Sequence, residues 1–313
     1  MSDDITDKTV PLQINDAHCH FFSKKFFAKL SSELLSKKKY PSQNNSPQAL
    51  LDELGWEAPG SAGALADRWA AELDAANVTR AALMSSVPED ESSVATAIER
   101  HPQRFIGMFM VNPLATGATE RVRRAFSEHR LSCACLFPAM HDYSLDDKSV
   151  NDVFELAAYY DCATFVHCGV LSIGVRKKFG LRSTFDIQRG NPLALIPVAS
   201  RFPTVPVIVP HFGAGFFREL LMASDLCPNI YTDTSSSNSW IKLTPTLSLV
   251  DVFRSTLDVL GPERILFGTD SSFFPRGWQQ PLFDTQQKVF DALGLIPSHR
   301  DAILSNNFNR IFR

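Results

Sequence analysis

The sequence predicts an α/β protein, a (β/α)8 TIM barrel with insertions after strands 1 and 5. Three observations carry that prediction. Eight short apolar runs recur along the chain, amphipathic stretches separate most of them, and no Gly-rich phosphate loop follows the first run. Short continuous apolar runs alternating with helical patterns indicate a parallel sheet covered on both faces. Eight such units over about 250 residues fit a closed barrel. The missing phosphate loop counts against an open doubly wound sheet.

The runs fall at residues 12–16, 80–85, 105–111, 132–137, 163–168, 205–209, 229–232 and 264–267. Helical patterns lie at 62–76, 91–100, 120–129, 150–160, 192–201, 216–224 and 250–260, and closing helices at 281–293 and 298–304. Two stretches break the rhythm. Residues 22–60 follow the first run and carry Lys37, Lys38 and Lys39 beside a polar PSQNNSP segment. Residues 171–191 follow the fifth run and carry Arg176, Lys177, Lys178, Arg182 and Arg189. Both are expected at the C-terminal mouth of the barrel, where long loops take binding or lid roles. No linker separates a second domain, so residues 1–313 are expected to form a single barrel domain.

Composition narrows the function classes. The chain has 313 residues, 44% hydrophobic and 21% charged, with a net charge of −3, as an ordinary globular enzyme would. No basic stripe points to nucleic acid. No apolar run approaches the ~18 residues of a membrane span. Residues 1–10 are polar and acidic and lack signal-peptide features, so a cytoplasmic location is expected. The six cysteines contain no CxxC pair; they are expected to be reduced and to form no zinc finger. Among the 24 phenylalanines are the pairs Phe21-Phe22, Phe26-Phe27, Phe216-Phe217 and Phe273-Phe274. Those near His20, His211 and Asp270 are expected either in the core or along a pocket. Trp56 and Trp69 read as packing residues.

The strongest local signal is Asp16-Ala17-His18-Cys19-His20. On an extended strand residues i and i+2 share a face, so His18 and His20 can reach one ion together. His167 closes ATFVH, His211 closes VPVIVPH and Asp270 closes RILFGTD. An ionisable residue at the end of a buried strand needs partners. Several at one end of one barrel point to one site.

The motifs DAHCHFF, FVHCG, VPHFGAG and FGTDS resemble the amidohydrolase superfamily. More narrowly, they resemble the amidohydrolase-related branch that includes aminocarboxymuconate-semialdehyde decarboxylase, resorcylate-type decarboxylases, lactonases and other hydrolases. The resemblance spans Asp16 to Asp270. It implies a (β/α)8 barrel and one divalent ion, zinc first and manganese next, held by His18, His20, His167 and Asp270. It implies proton transfer by Asp270 and action on substrate or water by His211. One departure narrows this. Where many relatives carry a bridging lysine or glutamate on strand four, this chain reads Ser132-Cys133-Ala134-Cys135-Leu136-Phe137. A one-metal site is therefore expected. Cys135 is a candidate soft ligand, though a small buried apolar role suits it better.

Two reactions fit one ligand set. In the first, metal-activated water attacks an ester, lactone or amide of a small carboxylate-bearing substrate. In the second, the enzyme is a non-oxidative decarboxylase. A third alternative, an inactive metal-binding barrel, sits poorly with an unbroken ligand set. For the substrate side, Arg176 and Arg182 are candidate carboxylate binders, and Trp240, Arg276 and Trp278 are candidate pocket residues. The expected partner is a small molecule, with no nucleic acid and no membrane. A homodimer is also expected, built on an exposed Phe-rich insertion.

Overall fold

Eight parallel strands form one sheet in the order β1 to β8: Asn15–Phe21, Arg80–Ser85, Phe105–Val111, Cys133–Leu136, Ala163–Val166, Val207–Val209, Ile230–Asp233 and Ile265–Leu266. The computed structural model describes residues 13–36, 46–181, 183–235 and 238–313. Each neighbouring pair in the sequence pairs in register, as the alternating apolar runs predict. The barrel closes between β1 and the segment after β8. There Ala17 N–H donates to the Phe267 carbonyl (2.9 Å), Asp270 N–H to the His18 carbonyl (2.9 Å) and His20 N–H to the Ser271 carbonyl (2.7 Å).

The first strand is displaced from its expected place. It runs over Asn15–Phe21 rather than 12–16, so the two histidines lie within the strand and not in a turn after it; Leu12 lies outside the described residues. The strand also carries a bulge between Asp16 and Cys19. Ala17 belongs to the barrel interior, whereas Cys19 and Phe21 pack between sheet and helices. A bulge re-aims side chains in this way, and it lets His18 and His20 face the mouth together.

Two apolar layers result. Ala82, Met84, Met108, Met110, Cys133, Cys135 and Phe165 fill the barrel axis. A larger layer, with Trp69, Phe109, Phe154 and Phe253, seats the outer helices. Fully burying one such side chain contributes roughly 1.5–3 kcal/mol. The outer helices match the sequence patterns within two residues at most ends, for example Glu91–Arg100 and Leu249–Leu260. The closing pattern at 298–304 instead resolves into Pro297–Asp301, a π segment Ala302–Asn306, and Asn307–Ile311.

Both insertions sit at the C-terminal mouth and pack on each other. The first forms helices Lys24–Ser36 and Pro47–Leu54, and the second begins with helix Gly174–Lys178. Phe26, Phe27, Leu30, Leu50 and Leu51 meet Val175, Phe179 and Leu181 in one apolar cluster. Phe26 and Phe27 are therefore buried, which removes the exposed Phe-rich face expected for a dimer. Lys37, Lys38, Lys39 and Arg182 lie outside the described residues. Among the described residues, no helix is long and apolar enough to cross a membrane.

The loops after β5 and β6 touch backbone to backbone. Gly169, at φ +77°, has room for no side chain; a Cβ there would stand 2.2 Å from the Gly213 carbonyl oxygen and 2.4 Å from that of Ala214. We expect Gly169→Ala to cost at least ~2 kcal/mol in urea unfolding, from strained φ and overlap together. An unchanged midpoint would show that these loops yield freely.

Candidate metal centre

Five of the eight strand ends deliver the polar groups at the mouth. His18 and His20 come from β1, His167 directly follows β5, His211 follows β6, Asp233 ends β7, and Asp270 follows β8. His211 and Asp270 sit in the left-handed backbone region, at φ 57° and 58°. Non-glycine residues rarely adopt it, and the cost concentrates at functional sites.

Three of the predicted ligands converge. The Asp270 carboxylate lies 3.0 Å from His20 Nε2 and 3.8 Å from His18 Nε2. Ligand atoms at 2.0–2.2 Å around a tetrahedral ion stand about 3.4 Å apart, so this spacing fits one divalent cation. The outward nitrogens are tied back. His18 Nδ1 meets Asp233 Oδ2 at 2.9 Å, and His20 Nδ1 meets Ser86 Oγ at 2.8 Å. His167 lines the same cavity but lies outside the tight three-residue group. Its Nδ1 is buried with no hydrogen-bond partner among the described residues. Burial, with His211 and His18 beside it, pushes its pKa down to about 3, so the ring is neutral at physiological pH and fit to ligate. A buried polar atom without a partner, beside two imidazoles and a carboxylate, fits an ion at this spot.

Charge in the cluster is set by neighbours. Burial works to raise the Asp270 carboxyl. The His20 hydrogen bond and charge, with His18 and His211, outweigh it and hold Asp270 well below the usual carboxylate range. Asp233 follows the same balance: burial raises it, and His18, His211 and Ser235 bring it to about 2. His211 is lowered by burial and by His18. Asp16 behaves differently. Its carboxyl is pushed up by burial, only partly offset by Thr269, His18 and Trp278. It receives His18 N–H (2.9 Å), Thr269 N–H (3.1 Å) and Trp278 Nε1–H (2.7 Å), and so staples β1 to the loop after β8.

The cavity above the cluster has a volume of about 320 Å3. Phe22, Phe26, Trp56, Phe137, Phe165 and Phe273 form its walls. Phe22 stacks on Phe26 at 3.9 Å and Trp56 on Phe273 at 3.8 Å, each nearly parallel. Trp56, expected only to pack, thus faces the site, because the first insertion folds back over the mouth. Arg276 is the one lysine or arginine among the lining residues. Its Nη2 donates to Ser272 Oγ (2.6 Å) and the Asp270 carbonyl (3.2 Å), and its guanidinium lies over Phe273 at 4.5 Å.

The other substrate candidates are placed elsewhere. Trp278 is 5% exposed and holds Asp16. Trp240 is 4% exposed and packs near Phe217. Arg176 pairs with Glu33 in the first insertion, Lys178 donates to the Glu53 carbonyl (3.1 Å), and Arg189 pairs with Asp142 (3.3 Å). The basic loop therefore knits the two insertions together. Cys135 is fully buried on the barrel axis, in register with Met110 and Phe165, and belongs to none of the ligand groups. The reading of the sequence missed Asp233, Ser235 and Ser86. Asp233 carries a signal, since it is one more strand-end carboxylate, one residue past the apolar run 229–232. The two serines had none.

Trp278→Phe tests the reassignment. It should lower stability by about 1.5–3 kcal/mol in urea, the worth of one buried hydrogen bond to a carboxylate. It should leave metal content unchanged. Loss of metal with stability intact would return Trp278 to the site.

Comparisons with known proteins agree with the barrel fold. A 5-carboxyvanillate decarboxylase from Sphingomonas paucimobilis superposes with a TM-score of 0.68 at 17% identity, covering 96% of this chain and 99% of its own. A probable 2-pyrone-4,6-dicarboxylic acid hydrolase from Acinetobacter baumannii, solved with citric acid bound, gives 0.60 at 13% identity, over 96% and 99%. Both share the barrel. Protein fluG of Emericella nidulans is 24% identical over 183 residues, which is 58% of this chain and only 20% of that protein's length. The amidohydrolase family model matches residues 15–313, nearly the whole chain. The chain belongs to the amidohydrolase family.

Proposed function

We propose that the protein, as a single barrel domain over residues 1–313, is a metal-dependent enzyme that removes a carboxylate from a small aromatic acid without an oxidant. The observation that carries this reading is one cavity in which an aromatic box meets the His18, His20 and Asp270 cluster. His18, His20, His167 and Asp270 would hold one divalent ion, zinc in first place and manganese second. When bound, the ion supplies Lewis-acid polarisation of substrate oxygens.

The chain's own groups do the rest. Phe22, Trp56 and Phe273 give a flat ring an aromatic wall to lie against and exclude water. A carboxylate held against apolar walls is poorly solvated and loses its charge on leaving as CO2. Arg276 holds a second acidic group of the substrate through its planar fork. Asp270 moves the proton: its carboxylate accepts one from an acidic hydroxyl and returns it to the ring carbon. As the ring carbon gains that proton, its bond to the carboxylate breaks, the bonding pair stays on the ring and CO2 departs. His211 lines the same cavity and accepts a hydrogen bond from a substrate hydroxyl or water.

A second reading is hydrolysis of an ester, lactone or amide. Asp270, ionised and 29% exposed at the cavity edge, favours it, because such a carboxylate can accept a hydrogen bond from an attacking water and orient it. An inactive barrel is opposed by the unbroken set of strand-end groups.

Protein loaded with Zn2+ or Mn2+ and given hydroxybenzoates and aryl lactones should release CO2 from the former. A new acid with its alcohol, and no CO2, would select the second reading. Neither product, together with no stoichiometric metal by elemental analysis, would reject both. Asp270→Asn should lower kcat by about 10²–10⁴-fold. Arg276→Met should raise KM about tenfold or more with little change in kcat, the sign of lost uniform binding. His18→Ala should abolish stoichiometric metal.

A further inference from the structure

Asp233 and Ser235 take no part in the chemistry above, yet they occupy the centre of the cluster. The Asp233 side chain is fully buried. Its Oδ2 lies 2.9 Å from His18 Nδ1, and its Oδ1 accepts the backbone N–H of His211 (3.1 Å) and of Ser235 (3.0 Å). The Ser235 hydroxyl touches three groups: Asp233 Oδ1, His211 Nδ1 at 2.7 Å and His18 Nδ1 at 3.0 Å. Donor counting resolves this knot. An ionised carboxylate only accepts. Ser235 therefore donates its one hydroxyl proton to Asp233, and its oxygen is left to accept from His211 Nδ1–H. His18 Nδ1 must likewise carry a proton toward Asp233.

We infer that Asp233, assisted by Ser235, is a positioning residue that locks both His18 and His211 as Nδ1–H tautomers and so directs both Nε2 lone pairs away from the buried carboxylate. For His18 that direction is toward Asp270, 3.8 Å from its Nε2. One buried carboxylate on β7 thus sets the usable face of a histidine on β1 and of another after β6. The same count bears on His18, His211 and Asp233 as a second ion-sized group. An ion there would need His18 Nδ1 and Asp233 free of the proton they share. The group is better read as the support of the first site. His167 differs, since its Nδ1 has no partner among the described residues to fix its tautomer.

The inference rests on the metal reading for its consequence but not for its geometry, and the test separates the two. Histidine-labelled, zinc-free protein is examined at alkaline pH by long-range nitrogen–proton NMR, with signals assigned through His18→Asn and His211→Asn. His18 and His211 should both show a protonated Nδ1. In Asp233→Asn the amide N–H2 faces His18 Nδ1, so His18 should switch to the Nε2–H tautomer. Zinc affinity by chelator competition should then fall about 10- to 100-fold, as for other partners of metal-binding histidines. Ser235→Ala should leave the His18 tautomer and zinc affinity at wild-type values, and His211 should keep its Nδ1–H, because the Ser235 carbonyl stays 3.3 Å from that nitrogen. A wild-type His18 protonated on Nε2 would overturn the inference. So would an Asp233→Asn protein with unchanged tautomer and zinc affinity. The wild-type measurement needs no variant to fold. Protein that takes up no zinc but shows both Nδ1–H tautomers would sink the metal reading and uphold the positioning role.

Discussion

The site depends on the seam where β1 meets the segment after β8. Three backbone hydrogen bonds close the barrel there, and they involve the residues that carry the ligands: Asp270 N–H bonds the His18 carbonyl, and His20 N–H bonds that of Ser271. Barrel closure and ligand placement are thus one event. The Asp16 carboxylate reinforces the seam by gathering donors from His18, Thr269 and Trp278. A buried carboxylate is costly unless its lone pairs are satisfied. Here the donors come from both sides of the seam, so the cost of burying Asp16 ties the sides together.

Strain and bulge serve the same end. The bulge in β1 turns Ala17 and then His18 inward, and left-handed backbone at His211 and Asp270 carries each chain sharply off its strand. Such conformations persist only where the surroundings over-determine them. At Asp270 the surroundings are the backbone bond to His18 and the Arg276 contact on its carbonyl. At His211 they are Asp233 and the tight meeting of Gly169 with Gly213 and Ala214.

The insertions convert an open barrel mouth into a box. Their apolar faces pack on each other, and the charges of the second insertion hold the first through Arg176 with Glu33 and Lys178 with the Glu53 carbonyl. This leaves Arg276 as the cation at the cavity wall and aromatic rings as its main surface. Aromatic faces stack on flat groups, and a guanidinium fork pairs with anions.

The sequence by itself determined the barrel and pointed to the strand-end groups at its mouth. The period of apolar runs depends only on local hydrophobic pattern, and strand-end His and Asp stand out because a buried strand tolerates no idle charge. His18, His20, His167, His211 and Asp270 stand out on that ground, and the fold brings all five to one cavity. Tertiary structure decided what each polar group faces. It engaged Arg176 with Glu33, turned Trp278 onto Asp16 and brought Trp56 from a remote insertion to the cavity wall. It also set Asp233 beneath two histidines from other strands. A hydrogen bond between residues more than 200 positions apart leaves no periodic trace in the chain; only closure of the barrel brings its ends together.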